Sequence, residues 1–134
     1  MTARALTALT SAALLVALAG CSSDAPPTDA SVDAYCDAYT EWALTTEGTD
    51  WEAYSEAAGR LVEVGTPEGT PDAERHAVEL FADWVRSEAP GERLSIAQWA
   101  PEEDRAGIYG LMDWSQVTCV TGEVAETGAN PLGR

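Results

Sequence analysis

The chain has 134 residues and a net charge of −16, from 23 acidic side chains against seven arginines and no lysine. A body this acidic repels phosphate backbones and anionic lipid heads, which sets nucleic acid aside as a partner. Without lysine there is no phosphate loop ending in Lys-Ser/Thr, no serine nucleophile paired with lysine and no Schiff-base chemistry.

The first 20 residues carry one charge, Arg4, and run apolar from Ala5 to Ala19. This is the layout of a secretory signal peptide, and it is shorter than the roughly 20 apolar residues of a membrane-crossing helix. The run ends in Leu18-Ala19-Gly20-Cys21, which resembles the bacterial lipobox. The resemblance implies that residues 1–20 are cut away and that the Cys21 thiol receives a diacylglycerol. The mature chain is then lipid-anchored on the extracytoplasmic face of the cell membrane. Small residues before the cut admit a peptidase, and a thiolate is the nucleophile that accepts the lipid. Ser22 follows in place of the aspartate that retains some lipoproteins at an inner membrane. Loss of Arg4 leaves six arginines against 23 acids, a mature charge of −17. The membrane contact therefore runs through the acyl chains on Cys21, and two or more chains suffice for stable anchoring.

Residues 21–30 are small and polar and include Pro26 and Pro27, the composition of a flexible tether. Helical periodicity begins with Ser31 as cap, and Val32, Tyr35, Cys36, Tyr39, Trp42 and Ala43 line one face. Thr49-Asp50-Trp51-Glu52 reads as a capping box for a second helix, whose face is Trp51, Tyr54, Ala58, Leu61 and Val62 until Gly65 and Pro67 stop it. Thr70 as cap and Pro71 at the first helical position open a third, with Ala73, Ala77, Leu80, Phe81, Trp84 and Val85 inward. A short helix is expected around Leu94, Ile96 and Ala97. Pro101 then opens a fourth long helix with Ile108, Leu111 and Met112 inward. Its continuity to Cys119 is open, because Gln116 to Val120 favours strand and Gly107 and Gly110 weaken the helix.

Pro71, Arg75, Asp83 and Trp84 recur 30 residues later as Pro101, Arg105, Asp113 and Trp114. Shared helix grammar or a true repeat would each produce this echo. Residues 121–134 are glycine-containing and poor in apolar side chains, which predicts a disordered tail. The expected fold is all-α: a small bundle of about four helices over residues 31–120.

Three cysteines are present, and with Cys21 lipidated an even pair remains, Cys36 and Cys119. In an oxidising envelope such a pair predicts a disulfide, and their separation matches no metal-ligand spacing. A domain of this size has a modest core, so a staple from the first helix to the last is physically apt.

His76, the only histidine, sits at helical spacing from Asp72, Glu79 and Asp83. It reads as a boundary residue paired with helix acids, and no catalytic serine or zinc motif accompanies it. Glu102, Glu103 and Asp104 read as first-turn acids favoured by the helix dipole. Asp33, Asp37 and Glu41 form an i, i+4, i+8 stripe with no arginine between them, either a solvated face or a docking stripe for a basic partner. Of five tryptophans, Trp42 and Trp84 fall on apolar faces. Trp51, Trp99 and Trp114 are candidates for exposure and partner binding, since exposed aromatics stack on sugars or fill partner pockets.

With the lipobox, the Cys-x-x-Tyr of the first helix, the Gly-Thr-Pro before a long helix and a cysteine near the end, the chain resembles the small predicted lipoproteins of actinobacteria. The resemblance implies a helical, disulfide-bearing envelope protein and assigns no catalytic residue, metal or cofactor. The reading that follows is a non-enzymatic binding or interaction module facing a basic envelope protein or a wall component. The alternatives are a wall hydrolase using carboxylates and His76, and a passive structural or immunity-type surface protein.

Overall fold

A computed structural model describes residues 24–45 and 50–132. The expected signal segment, Cys21 and Thr49, the cap expected for the second helix, fall outside the described residues. Within them the chain forms α1 (Val32–Thr45), α2 (Trp51–Val64), α3 (Asp72–Arg86), the short α4 (Ile96–Trp99) and α5 (Glu102–Thr121), with no strand. The all-α expectation holds. The four long helices pack in the cyclic order α1, α2, α3, α5, and α4 lies against α3. No helix among the described residues is long and apolar enough to cross a membrane.

Local chemistry sets each helix start. The Ser31 hydroxyl accepts the Ala34 amide at 3.1 Å, as expected of a cap. Asp50 caps α2, its carboxylate accepting the Glu52 and Ala53 amides, each at 3.1 Å. In α4 the Ser95 hydroxyl and the Gln98 side chain bond each other's amides in a full capping box. The third long helix departs from expectation by one residue. Thr70 turns its hydroxyl back to the Pro67 carbonyl at 2.7 Å, and Pro71, with ψ 155°, stands outside the helix as its cap. Pro101 takes the same extended conformation ahead of α5.

α5 runs unbroken to Thr121 and ends on Gly122 in the left-handed region, so the strand preference of Gln116 to Val120 is overridden. Burial explains this. Ile108, Leu111, Trp114, Ser115 and Thr118 make one continuous inward face, and a strand would break it. That face is rotated from the one expected around Met112, and it carries Trp114 into the core. Trp114 is therefore no exposed partner-binding residue. In α3 the phase also shifts: Ala73 is exposed and Glu74 is buried in its place. The Glu74 carboxylate accepts the Thr127 hydroxyl at 3.1 Å.

Aromatic rings fill the centre. Trp42 of α1 meets Phe81 of α3 edge to face at 4.8 Å, Tyr54 of α2 meets Trp84 at 5.3 Å, and Tyr35 meets Trp114 at 5.6 Å. Tyr35 also hydrogen-bonds Ser115 of α5 at 2.6 Å. Burial pushes the Tyr35 hydroxyl well above the ordinary phenol range, so its proton is retained into alkaline solution. Beside it, the Cys36–Cys119 disulfide joins α1 to α5 with Cα atoms 5.5 Å apart.

The expected tether and tail are docked where they are described. Pro27 accepts the Thr66 amide at 2.9 Å, the Ala30 amide donates to Thr66 at 3.1 Å, and Arg86 donates to the Asp24 carbonyl. Gly65 permits this approach: its φ is 75°, and a Cβ there would lie 2.0 Å from the Pro27 carbonyl oxygen. At the other end Val124, Ala125 and Ala129 pack on the core, and the Ala125 amide donates to Thr118 Oγ1 at 3.2 Å. Trp84 and Trp114 extend the 30-residue echo into geometry. Each donates its indole N–H at 2.9 Å to a carbonyl of the chain returning after its helix, Leu94 and Ala125 respectively.

Candidate functional site

Where α1, α2, α4 and α5 meet, an open cleft of about 680 Å³ indents the surface. Each side chain reaches it through ordinary helix geometry. On α5, Arg105, Tyr109 and Met112 stand at i, i+4 and i+7 and so share one face. From α2 come the cap Asp50 and the pair Trp51 and Tyr54, whose rings meet edge to face at 5.4 Å. The α4 capping box places Ser95 and Gln98 at the rim, and Trp42 and Thr45 close the α1 side.

The walls are aromatic and the rim is polar. Tyr109 is 56% exposed, while Trp51 is half-buried and Tyr54 is buried. Burial raises the Tyr54 pKa above the ordinary phenol value, partly offset by the Trp42 indole and the Ile96 backbone. Trp42 Nε1 itself reaches no hydrogen-bond geometry with any partner, so its N–H only faces the Tyr54 hydroxyl. A buried donor left so costs about 1–3 kcal/mol.

Among the described residues the charges at the rim are Asp50 and Arg105. Arg60, Arg75 and Arg86 each pair with a carboxylate, Glu41, Asp72 and Asp83 respectively, and among the described residues Arg105 forms no ion pair. Its guanidinium keeps its five N–H donors for a ligand. Gln98 uses its amide oxygen on the Ser95 amide at 3.0 Å and retains its NH₂ group. One Asp50 oxygen is engaged by the α2 amides and the other is free of them. The arrangement combines flat apolar faces with hydrogen-bond donors and an acceptor, the composition of a small-molecule site within the usual ~300–1,000 Å³.

No protein-family model, curated protein or solved structure matches the chain. The site therefore rests on its own geometry.

Of the residues singled out from sequence, only Trp51 lines the cleft. Trp99 is half-buried against the core away from it, and Trp114 is fully buried. Asp33, Asp37 and Glu41 are exposed on α1, as a solvated face requires. The stripe is not free of arginine, however: Arg60 of α2 reaches across and donates through Nε to Glu41 at 2.8 Å. Periodicity along one helix does not reveal a neighbour's arginine. His76 is 58% exposed, with Nδ1 3.5 Å from Glu79 and Nε2 3.6 Å from Asp104, bridging α3 to the start of α5. Glu79 is the partner expected from helical spacing and Asp104 is not. No cluster of three metal-ligating side chains occurs among the described residues.

Arg105, Tyr109 and Gln98 were not legible as site residues. The Arg105, Tyr109, Met112 spacing was visible, but the element facing it was not.

Proposed function

We propose that the chain is a lipid-anchored extracytoplasmic lipoprotein acting as a non-enzymatic binding module, with the aromatic cleft as its ligand seat. The observation that carries the reading is the convergence of Trp51, Tyr54 and Tyr109 with Arg105, Asp50 and Gln98 from three separate elements. The anchor rests on the lipobox at Cys21. A wall hydrolase would need a second carboxylate or His76 within reach of the same ligand. Among the described residues Asp50 is the one carboxylate that lines the cleft, it already caps α2, and His76 does not line it. The acidic stripe is the weaker binding surface because Glu41 is engaged by Arg60.

Two measurements test this. A Cys21→Ser chain expressed in its own host should incorporate no labelled palmitate, and undiminished labelling removes the lipoprotein reading. The full-length chain on beads should retain a component of solubilised envelope that a Trp51→Ala/Tyr109→Ala chain does not. Equal retention by both would take the cleft out of the function.

A further inference from the structure

We infer that the cleft takes an uncharged sugar ring, a neutral hexose or N-acetylhexosamine unit of a polysaccharide; this rests on the cleft being the ligand seat. Three observations select that chemistry. The first is the aromatic lining. A pyranose presents one face of C–H bonds, slightly positive, and the face of an aromatic ring is its negative side. Trp51 and Tyr109 supply such rings on different helices at the surface, whereas Trp84 and Trp114 are sealed in the core.

The second observation is the presence of both charges. Asp50 and Arg105 line one cleft without forming an ion pair with each other, so the ligand must both donate and accept there. Hydroxyls do both. An anionic ligand would suit Arg105 but oppose Asp50, and a cation would do the reverse. A zwitterionic amino acid or peptide end matches the signs. Its ammonium, however, would face a carboxylate whose charge already serves the amides at the α2 N-terminus. A hydroxyl needs only the spare lone pairs of that carboxylate.

The third observation is net charge. At −16 for the chain, acidic polymers are repelled before they reach the cleft, and a neutral glycan is not. Binding should accordingly be nearly insensitive to salt.

The test is calorimetric titration of the full-length chain in a polyoxyethylene detergent, which carries no sugar headgroup. The probes are the tetrasaccharides of N-acetylglucosamine, glucose (α- and β-1,4) and mannose, set against tetragalacturonate and the dipeptide alanyl-alanine. At least one neutral tetrasaccharide should bind, with a Kd unchanged between low and high salt. Tyr109→Ala and Trp51→Ala should each weaken it about tenfold, as one lost stacking contact implies. Tyr109 is exposed, so its variant keeps the fold if Trp51→Ala does not. Failure of every neutral probe, tighter binding of tetragalacturonate or the dipeptide, or neutral binding indifferent to Tyr109→Ala overturns the inference. If envelope retention needs the two aromatics while no neutral probe binds, the sugar assignment falls and the binding module stands. If retention ignores them, the module reading falls.

Discussion

Replacing Cys36 and Cys119 together by alanine lowers the melting temperature by roughly 15–30 °C. The two cysteines are 83 residues apart and tie α1 to α5, the first and last helices of the cycle. Cross-linking a loop of that length removes unfolded-state entropy worth about 4 kcal/mol in the chain-entropy model. For a domain near 100 residues each kcal/mol moves the midpoint by about 4–8 °C. Other α1–α5 contacts include the Tyr35–Ser115 hydrogen bond, the Tyr39 hydroxyl on the Met112 carbonyl at 3.3 Å and the Tyr35–Trp114 ring pair. They order the interface once the chain is folded, but they do not restrict the unfolded chain. Thermal circular dichroism of the oxidised wild type and the double variant measures the difference. A shift of only a degree or two would show that aromatic packing alone closes the cycle.

Helix existence and the disulfide partners were legible because both follow from short-range rules. The i, i+4, i+7 spacing of Tyr35, Tyr39 and Trp42 specifies one face whatever lies opposite, and Ser31 caps a helix through an amide three residues away. Where the outcome depended on a distant segment, the same rules were insufficient. Thr70 looks like a cap, but Pro71 stays extended and the Thr70 hydroxyl closes the preceding turn instead. Tether and tail are polar, and composition alone predicts them to be loose. The tether is held by backbone hydrogen bonds to Thr66 and the tail by the side chains of Trp114, Thr118 and Glu74, which hydropathy does not register. The cleft was the least legible feature. It draws residues from four helices and two caps, and only Trp51 stood out as an aromatic in an unusual place.

Trp114→Ala destabilises the fold by about 3–5 kcal/mol, the cost of truncating a fully buried tryptophan, and it also releases the segment after α5. The two effects separate in Trp114→Phe, which keeps an aromatic ring against Tyr35 but removes the indole N–H that the Ala125 carbonyl accepts at 2.9 Å. Losing a partner for a part-buried carbonyl costs about 1–3 kcal/mol. That leaves the segment on the Ala125 amide to Thr118 and the Thr127 hydroxyl to Glu74. A protease that cuts after glutamate reports the outcome, because Glu123 and Glu126 flank the anchored residue and both are exposed. The wild-type segment is protected by its docking, whereas in Trp114→Phe the cut after Glu126 accelerates severalfold with the helical signal retained, since local opening governs cleavage. Equal cutting of wild type and Trp114→Phe would mean that the indole does not hold the segment. The retained contacts to Thr118 and Glu74 would then be sufficient, and the pairing of Trp84 with Leu94 and Trp114 with Ala125 would be a likeness of geometry without a shared mechanical role.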